Sequence, residues 1–275
     1  MSVDRRAAAE TALAAAREAA ALVMRVYGAP FEVEYKAEDD PVTRADREAN
    51  ALLCERLGRA FPGLPIVAEE SAPASYAGFG RAEAAWFVDP LDGTREFVAE
   101  NGQFSVMVGL AEKGRATVGV VVAPAWQRTF LGIVGEGAWE VEETGERRRI
   151  RVSSRATTEG AIVVASRSRM PPIVTSVVAA LHTSPPRPHG SSGLKGALVS
   201  TADADIYLQP GAAGMRWDAC ATDALVHAAG GKLTQADGTS FDYASGEVEN
   251  RRGMVATNGL LHDAVLQALK EATPG

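Results

Sequence analysis

The sequence predicts a mixed fold, with an α+β N-terminal part and an α/β C-terminal part. Between residues 104 and 142, β-rich runs are separated by Lys-Gly, Ala-Pro and Gly-Glu-Gly turn signals, a pattern typical of an antiparallel meander. From residue 161 onward, strand-like and helix-like segments alternate, which indicates an α/β layer. The change from β-rich runs to alternating strands and helices falls near residues 145–158. We therefore expect an N-terminal domain over 1–150 and a C-terminal domain over 151–275.

The composition excludes several classes of protein. The 28 Lys and Arg residues against 35 Asp and Glu residues give a formal net charge of −7, so we expect neither a nucleic-acid nor an anionic-membrane partner. The two cysteines, Cys54 and Cys220, lie outside any CxxC pair, which argues against structural zinc and a disulfide framework. Reduced thiols and the lack of an unbroken apolar run at the N-terminus predict a cytoplasmic location.

The N-terminal elements follow from apolar spacing and capping residues. Leu13, Ala16, Ala20 and Val23 recur at helical spacing, and the first helix is expected to stop at Gly28. A loop or short hairpin is expected around residues 40–41. Thr43 then caps a second helix that runs to about residue 61.

Two short strands follow, and each is expected to end in acidic residues. The segment 64–71 ends in Glu69 and Glu70, and the segment 84–90 reaches Asp89. Pro90 has no backbone N–H, so we expect the second strand to end at Asp89. If the two strands are neighbours, these acids and Asp92 lie close together.

The C-terminal part predicts a mostly parallel sheet covered by helices. Strands are expected over 161–166, 204–210 and 252–258, and helices over 171–182, 193–203, 217–231 and 260–272. The Pro- and Ser-rich stretch 182–193 is expected to be a loop that carries ligand-binding groups.

The stretch "WFVDPLDGTREF", residues 86–97, carries the clearest chemical signal. The carboxylates of Asp89 and Asp92 and the carbonyl oxygen of Leu91 can converge, and three such oxygen donors suit Mg²⁺ or Mn²⁺ rather than zinc. Gly93 and Thr94 open a helix whose free N–H groups suit a phosphate. Taken singly, an acid pair at a strand end is more often a solvated turn, so the argument depends on the combination.

Four segments together resemble a known superfamily. They are "DPVTRADREAN" (40–50), "VAEES" (67–71), "DPLDGTREF" (89–97) and "WDACATDALVHAAGG" (217–231). Their order and spacing resemble those of the inositol-monophosphatase-like superfamily of Mg²⁺-dependent, lithium-inhibited phosphatases. The resemblance implies a layered αβαβα sandwich of the sugar-phosphatase type that hydrolyses a small-molecule phosphate ester.

The resemblance also implies a metal site with two or three Mg²⁺ ions, for which Mn²⁺ is a substitute. One ion would be held by Glu69, Asp89 and the Leu91 carbonyl, and a second by Asp89, Asp92 and Asp218. A third, weaker ion would lie near Glu69 or Glu70. Read without the family, Asp218 is only an acid stabilised at a helix N-terminus.

Two catalytic pairs are left open by the resemblance. In the bisphosphate-nucleotidase branch, Thr94 orients a water and Asp46 accepts its proton. In the inositol branch, Glu69 takes that role with Thr94. Read alone, Asp46 is an ordinary acid in the first turn of a helix.

Two details favour the branch that converts 3′-phosphoadenosine 5′-phosphate to AMP and phosphate. The Arg-Glu-Phe after "DGT" is similar to that branch. The segment "GSSGLKGAL" (190–198) resembles its Gly-Ser-Ser-x-x-Lys loop; Gly193 disturbs one alignment, but Ser192 and Lys195 keep the Ser-x-x-Lys spacing. The inositol branch has an acid where this chain has Gly211. The substrate-binding residues implied are Gly93, Thr94, Ser192, Lys195 and Asp218.

Other functions remain open at this point. Inositol monophosphatase, histidinol-phosphatase and a fructose-bisphosphatase-like sugar phosphatase are the alternatives within enzymes. A non-catalytic metal- or phosphate-binding protein is the alternative from another class, and the presence of Thr94 argues against it. A homodimer is one assembly that the sequence leaves open.

Overall fold

A computed structural model describes residues 3–37, 40–212 and 214–273. Its helices are α1 (Arg5–Tyr27), α2 (Arg44–Ala60), α3 (Thr94–Val98), α4 (Pro172–Ala180), α5 (Ser192–Ser200), α6 (Arg216–Ala228) and α7 (His262–Ala272). The first nine strands are β1 (Val33–Ala37), β2 (Asp40–Thr43), β3 (Ile66–Ala68), β4 (Ala84–Asp92), β5 (Ser105–Glu112), β6 (Arg115–Ala123), β7 (Arg128–Ile133), β8 (Gly137–Val141) and β9 (Arg147–Ile150). The later strands are β10 (Val163–Ser166), β11 (Arg187–His189), β12 (Ile206–Pro210), β13 (Lys232–Thr234) and β14 (Gly253–Thr257).

The first sheet has seven strands in the order β3-β4-β5-β6-β7-β8-β9. Strand β3 runs parallel to β4, and every later pair is antiparallel, so the predicted meander is confirmed. Strands β1 and β2 form the hairpin expected near residue 40. The predicted first two helices are also confirmed, since α1 ends before Gly28 and Thr43 caps α2.

The second sheet has five strands in the order β11-β10-β12-β14-β13, and the prediction of a mostly parallel sheet is wrong. Strand β10 is parallel to β11 and β12, but β14 is antiparallel to β12 and β13. No described helix lies between β13 and β14, so the chain turns back and the later strand enters antiparallel. The expected loop 182–193 contains the short edge strand β11, which the Pro-rich sequence concealed.

Five layers follow from the packing of helices on these sheets. Helices α1 and α2 cover one face of the first sheet, α5 and α6 lie between the sheets, and α4 and α7 cover the outer face of the second. This is the predicted αβαβα sandwich. In the described part of the chain, no helix has both the length and the apolar character needed to cross a bilayer.

Helix α6 packs very closely against the first sheet. A Cβ atom at Gly119 on β6 would lie 2.1 Å from the carbonyl oxygen of Ala221 on α6. Because only glycine permits this approach, the first sheet and the helix that carries Asp218 are held in one relative position.

Candidate active site

A cleft of about 220 Å³ gathers the residues that the sequence singled out. Among the residues lining it are nine of the predicted ones: Glu69, Asp89, Leu91, Asp92, Gly93, Thr94, Ser192, Lys195 and Asp218. The tenth, Asp46, lies behind Thr94 and is 2% exposed. The cleft also has lining residues that were not predicted as site residues: Pro41, Arg95, Glu96, Ser166, Ser168, Arg169, Gly190, Ser191, Gln209 and Gly214.

Strand β4 delivers Asp89 and Asp92 through a bulge. The expectation that the strand ends at Asp89 is wrong, because β4 continues to Asp92. Asp89 lies opposite Met107 and Asp92 opposite Ser105, so two residues of β4 face one residue of β5 between these pairs. Pro90, which cannot donate a ladder hydrogen bond, is accommodated in this irregular step.

Three carboxylates form the centre of the cleft. One ligand oxygen from each of Asp89, Asp92 and Asp218 lies within 4.8 Å of the others. Burial raises the pKa of Asp89 well above its usual range, and the charges of neighbouring acids raise it further. Burial, followed by the charge of Asp92, raises the pKa of Asp218 to about 6. Oxygen donors held together against their mutual repulsion fit a hard divalent cation such as Mg²⁺.

Glu69 reaches this centre from the neighbouring strand. Its backbone N–H donates to the carbonyl oxygen of Val88 at 3.1 Å, one residue before Asp89. Lys36 Nζ donates to Glu69 Oε1 at 2.9 Å and to Glu70 Oε1 at 2.6 Å. Burial raises the pKa of Glu69 to about 8, against the opposing charge of Lys36. Lys36 therefore offsets part of the charge of the two acids beside which a third ion was predicted.

Asp92 is held by the start of α5. Its Oδ2 accepts hydrogen bonds from Ser191 Oγ at 2.6 Å, Ser192 Oγ at 3.1 Å and the Gly193 N–H at 2.9 Å. These donors leave Oδ1 outside the network. Ser191 has a φ of 54° and a ψ of 129°, a backbone conformation that costs about 1–3 kcal/mol in a non-glycine residue. Ser191 lies in the same Gly-Ser-Ser segment as Ser192, but only Ser192 was predicted as a site residue.

Asp218 is positioned by the beginning of α6. Its Oδ2 accepts a hydrogen bond from the Met215 N–H at 2.6 Å. Gly214 has a φ of 74°, and a Cβ atom there would lie 2.0 Å from the same oxygen. The turn before α6 therefore requires glycine, and it fixes the carboxylate at the cleft.

Thr94 and Asp46 form a hydrogen-bonded pair at the edge of the acids. Thr94 Oγ1 lies 3.0 Å from Asp46 Oδ1 and 3.2 Å from the Leu91 carbonyl oxygen, and its one proton serves one acceptor at a time. Asp46 Oδ2 accepts from the N–H and the hydroxyl of Thr43, both at 2.7 Å. Burial raises the pKa of Asp46, although these hydrogen bonds oppose the shift.

Lys195 lies in the first turn of α5 and is 3% exposed. Its Nζ donates to the carbonyl oxygens of Ser191 at 2.6 Å and His189 at 3.4 Å, and it lies 5.1 Å from the centre of the Tyr207 ring. Burial lowers the pKa of Lys195 to about 8, although nearby acids raise it. An ammonium group has three donors, so one N–H remains for an anion.

The cleft holds an acid cluster suited to divalent cations, a threonine paired with a buried aspartate, and, separately, a buried lysine. Together these groups fit a metal-dependent phosphatase. The model of the inositol monophosphatase family matches residues 4–273. The chain therefore belongs to the inositol monophosphatase family, as its motifs predicted.

The similar proteins have more than one activity. The 3′(2′),5′-bisphosphate nucleotidase CysQ of Salmonella typhimurium is 36% identical over 84% of this chain and 92% of that protein. The histidinol-phosphatase of Mycobacterium tuberculosis is 34% identical over 94% of this chain and 96% of that protein. The crystal structure of the extragenic suppressor protein suhB from Bartonella henselae has a TM-score of 0.81 at 26% identity, covering 96% of this chain and 98% of that one.

Proposed function

We propose that this protein is a Mg²⁺-dependent 3′(2′),5′-bisphosphate nucleotidase that converts 3′-phosphoadenosine 5′-phosphate to AMP and phosphate. The observation that carries the proposal is one cleft that joins the acid cluster and the Thr94–Asp46 pair to a buried lysine. The acids suit the metal-assisted cleavage of one phosphate, and the lysine suits an additional anionic group. The identity to CysQ supports the same substrate.

The proposed metal ligands are Glu69, Asp89, Asp92, Asp218 and the Leu91 carbonyl oxygen. When bound, Mg²⁺ supplies Lewis acidity that offsets phosphate charge and makes a water more acidic. Asp92 is prepared for this role because three donors fix its carboxylate in one orientation.

The proposed proton acceptor is Asp46, acting through Thr94. Thr94 lines the cleft, and when its hydroxyl donates to Asp46, its lone pairs can accept a hydrogen bond from the attacking water. Because burial raises its pKa, Asp46 is a stronger proton acceptor than an ordinary aspartate. Glu69 is the weaker candidate, because its carboxylate is already paired with Lys36.

The substrate-binding residues proposed are Gly93, Thr94, Ser192, Lys195 and Asp218. Lys195 would direct its remaining N–H to the phosphate that is not cleaved. Gly211, where the inositol branch has an acid, offers no carboxylate for a polyol and lines a separate cavity instead.

A histidinol-phosphatase activity is the second candidate, favoured by a relative that matches 94% of the chain. Release of phosphate from 3′-phosphoadenosine 5′-phosphate, histidinol phosphate and inositol 1-phosphate, assayed side by side with Mg²⁺, separates the candidates. We expect the highest kcat/KM on the bisphosphate nucleotide. A higher value on either of the other esters would contradict the proposed substrate.

A further inference from the structure

The loop after β10 brings a further cationic residue to the cleft, in addition to Lys195 and Arg95. Ser166, Ser168 and Arg169 line the cleft, and the Arg169 side chain is exposed to solvent. The Arg169 N–H donates to Ser166 Oγ at 3.1 Å, which holds the loop in a turn. Strand β10 therefore ends by presenting an arginine to the same space as the acid cluster.

Arg169 differs from the other cations in and near the cleft. Lys195 already donates to two carbonyl oxygens, and Arg95 is engaged in other interactions. Arg167 donates to Gln103 Oε1 and the Pro188 carbonyl oxygen, both at 3.2 Å. Among the residues that the structure describes, no carboxylate forms an ion pair with the Arg169 guanidinium. It is therefore available to an anionic ligand.

The proposed substrate has a second phosphate that such a group could bind. A bisphosphate ester brings a second, negatively charged phosphate, and Lys195 has a single N–H left to donate to it. A guanidinium presents two parallel N–H groups to two phosphate oxygens, so it adds direction as well as charge.

We propose that Arg169 is a specificity-determining residue that binds the non-scissile phosphate of a bisphosphate substrate. This inference rests on the proposed function and deepens it. Arg169 would select for substrates with two phosphates and contribute nothing to the cleavage of a monophosphate.

Two nucleotides that differ only in the 5′-phosphate provide the test: adenosine 3′,5′-bisphosphate and adenosine 3′-monophosphate. We expect Arg169→Gln to lower kcat/KM on the bisphosphate by roughly 10- to 100-fold and to leave the monophosphate value unchanged. Arg169→Lys should retain part of the preference for the bisphosphate, because the positive charge remains. The rest should be lost with the two parallel N–H groups of the guanidinium. Arg187→Gln, a matched change at an exposed arginine on β11, should affect neither substrate.

The outcomes separate this inference from the proposed function. Equal losses on both nucleotides, or no loss on the bisphosphate, would overturn the role of Arg169. A wild-type enzyme that prefers histidinol phosphate or inositol 1-phosphate would instead overturn the proposed substrate. Selective loss on the bisphosphate, with the control unchanged, would support both.

Discussion

The two sides of the cleft are built differently. The acid cluster (Glu69, Asp89, Asp92 and Asp218) comes from the residue after β3, from the adjacent strand β4 and from the tightly packed α6. Its carboxylates are held by hydrogen bonds or ion pairs. The opposite side of the cleft, here called the cationic side, carries Arg169 and Lys195 together with the neutral residues Ser166, Ser168 and Gln209. It comes from the ends of β10 and β12 and the start of α5. The difference suggests that the acid cluster carries the chemistry and the cationic side the choice of substrate.

The largest effect is expected from Asp89→Asn. Asp89 is the carboxylate proposed to contact two ions, so its neutralisation should reduce phosphate release to background on every substrate, a loss of at least about 1,000-fold. The exposed acid Asp263 on α7 provides a control, since Asp263→Asn should leave activity unchanged. Activity of Asp89→Asn near that of the wild type at saturating Mg²⁺ would show that the acid cluster has been assigned the wrong role.

The next effect concerns the Thr94–Asp46 pair. Thr94→Val keeps the shape and removes the hydroxyl, so kcat should fall by roughly 100-fold on bisphosphate and monophosphate substrates alike. Thr43→Val removes the hydroxyl that donates to Asp46 Oδ2, the oxygen that Thr94 does not contact. This variant should chiefly lower Tm, because Thr43 caps α2. Unchanged kcat in Thr94→Val would exclude the proposed proton path.

A smaller and selective effect is expected at Lys195. Lys195→Met retains the apolar stem and should lower kcat/KM on a bisphosphate nucleotide by roughly 10- to 100-fold, with little change on inositol 1-phosphate. Thermal unfolding of the variant measures any loss of stability from the buried position. If both activities fell together, Lys195 would be a structural residue and the comparison of the two sides would fail.

The smallest effect is a pH-dependent stabilisation by metal. In the metal-free protein, the pKa of Asp218 is raised to about 6 and that of Glu69 to about 8, so their protonated forms stabilise the fold at low pH. That contribution is lost as the pH rises through these values, while the ionised acids become able to bind Mg²⁺. We therefore expect Mg²⁺ to raise Tm by a few degrees at pH 8.5 and by less at pH 5.5.

The control for this experiment is Asp89→Asn, in which the Mg²⁺-induced shift should largely disappear. Thermal unfolding in Mg²⁺ and in EDTA at both pH values provides the measurement. Equal shifts at the two pH values would mean that Mg²⁺ binds somewhere other than these carboxylates.

The difference between the two sides of the cleft also explains which site residues could be predicted from the sequence. The acids and Thr94 lie in short motifs whose residue types suit metal and phosphate, so they could be named before the structure was known. Arg169 could not, because its position depends on how the end of β10 meets the first sheet. Ser191 lies in a segment that the resemblance singled out, but its contact with Asp92 depends on how the start of α5 meets the first sheet. The bulge in β4 was missed because Pro90 indicated a strand end, whereas tertiary pairing with β5 carried the strand to Asp92.

The second sheet, too, could be predicted only in part from the sequence. Its strand segments were recognisable from apolar runs, but the antiparallel entry of β14 depends on the path of residues 235–252, which have no local signature of direction. The edge strand β11 is three residues long and rich in proline and charge, so local propensity favoured a loop.

The most direct test of the central claim is the metal dependence of the wild-type enzyme. Phosphate release from 3′-phosphoadenosine 5′-phosphate should stop when EDTA removes divalent ions and should return in a saturable manner as Mg²⁺ is added back. Undiminished release in the presence of EDTA would contradict the assignment of the acid cluster as the catalytic metal site.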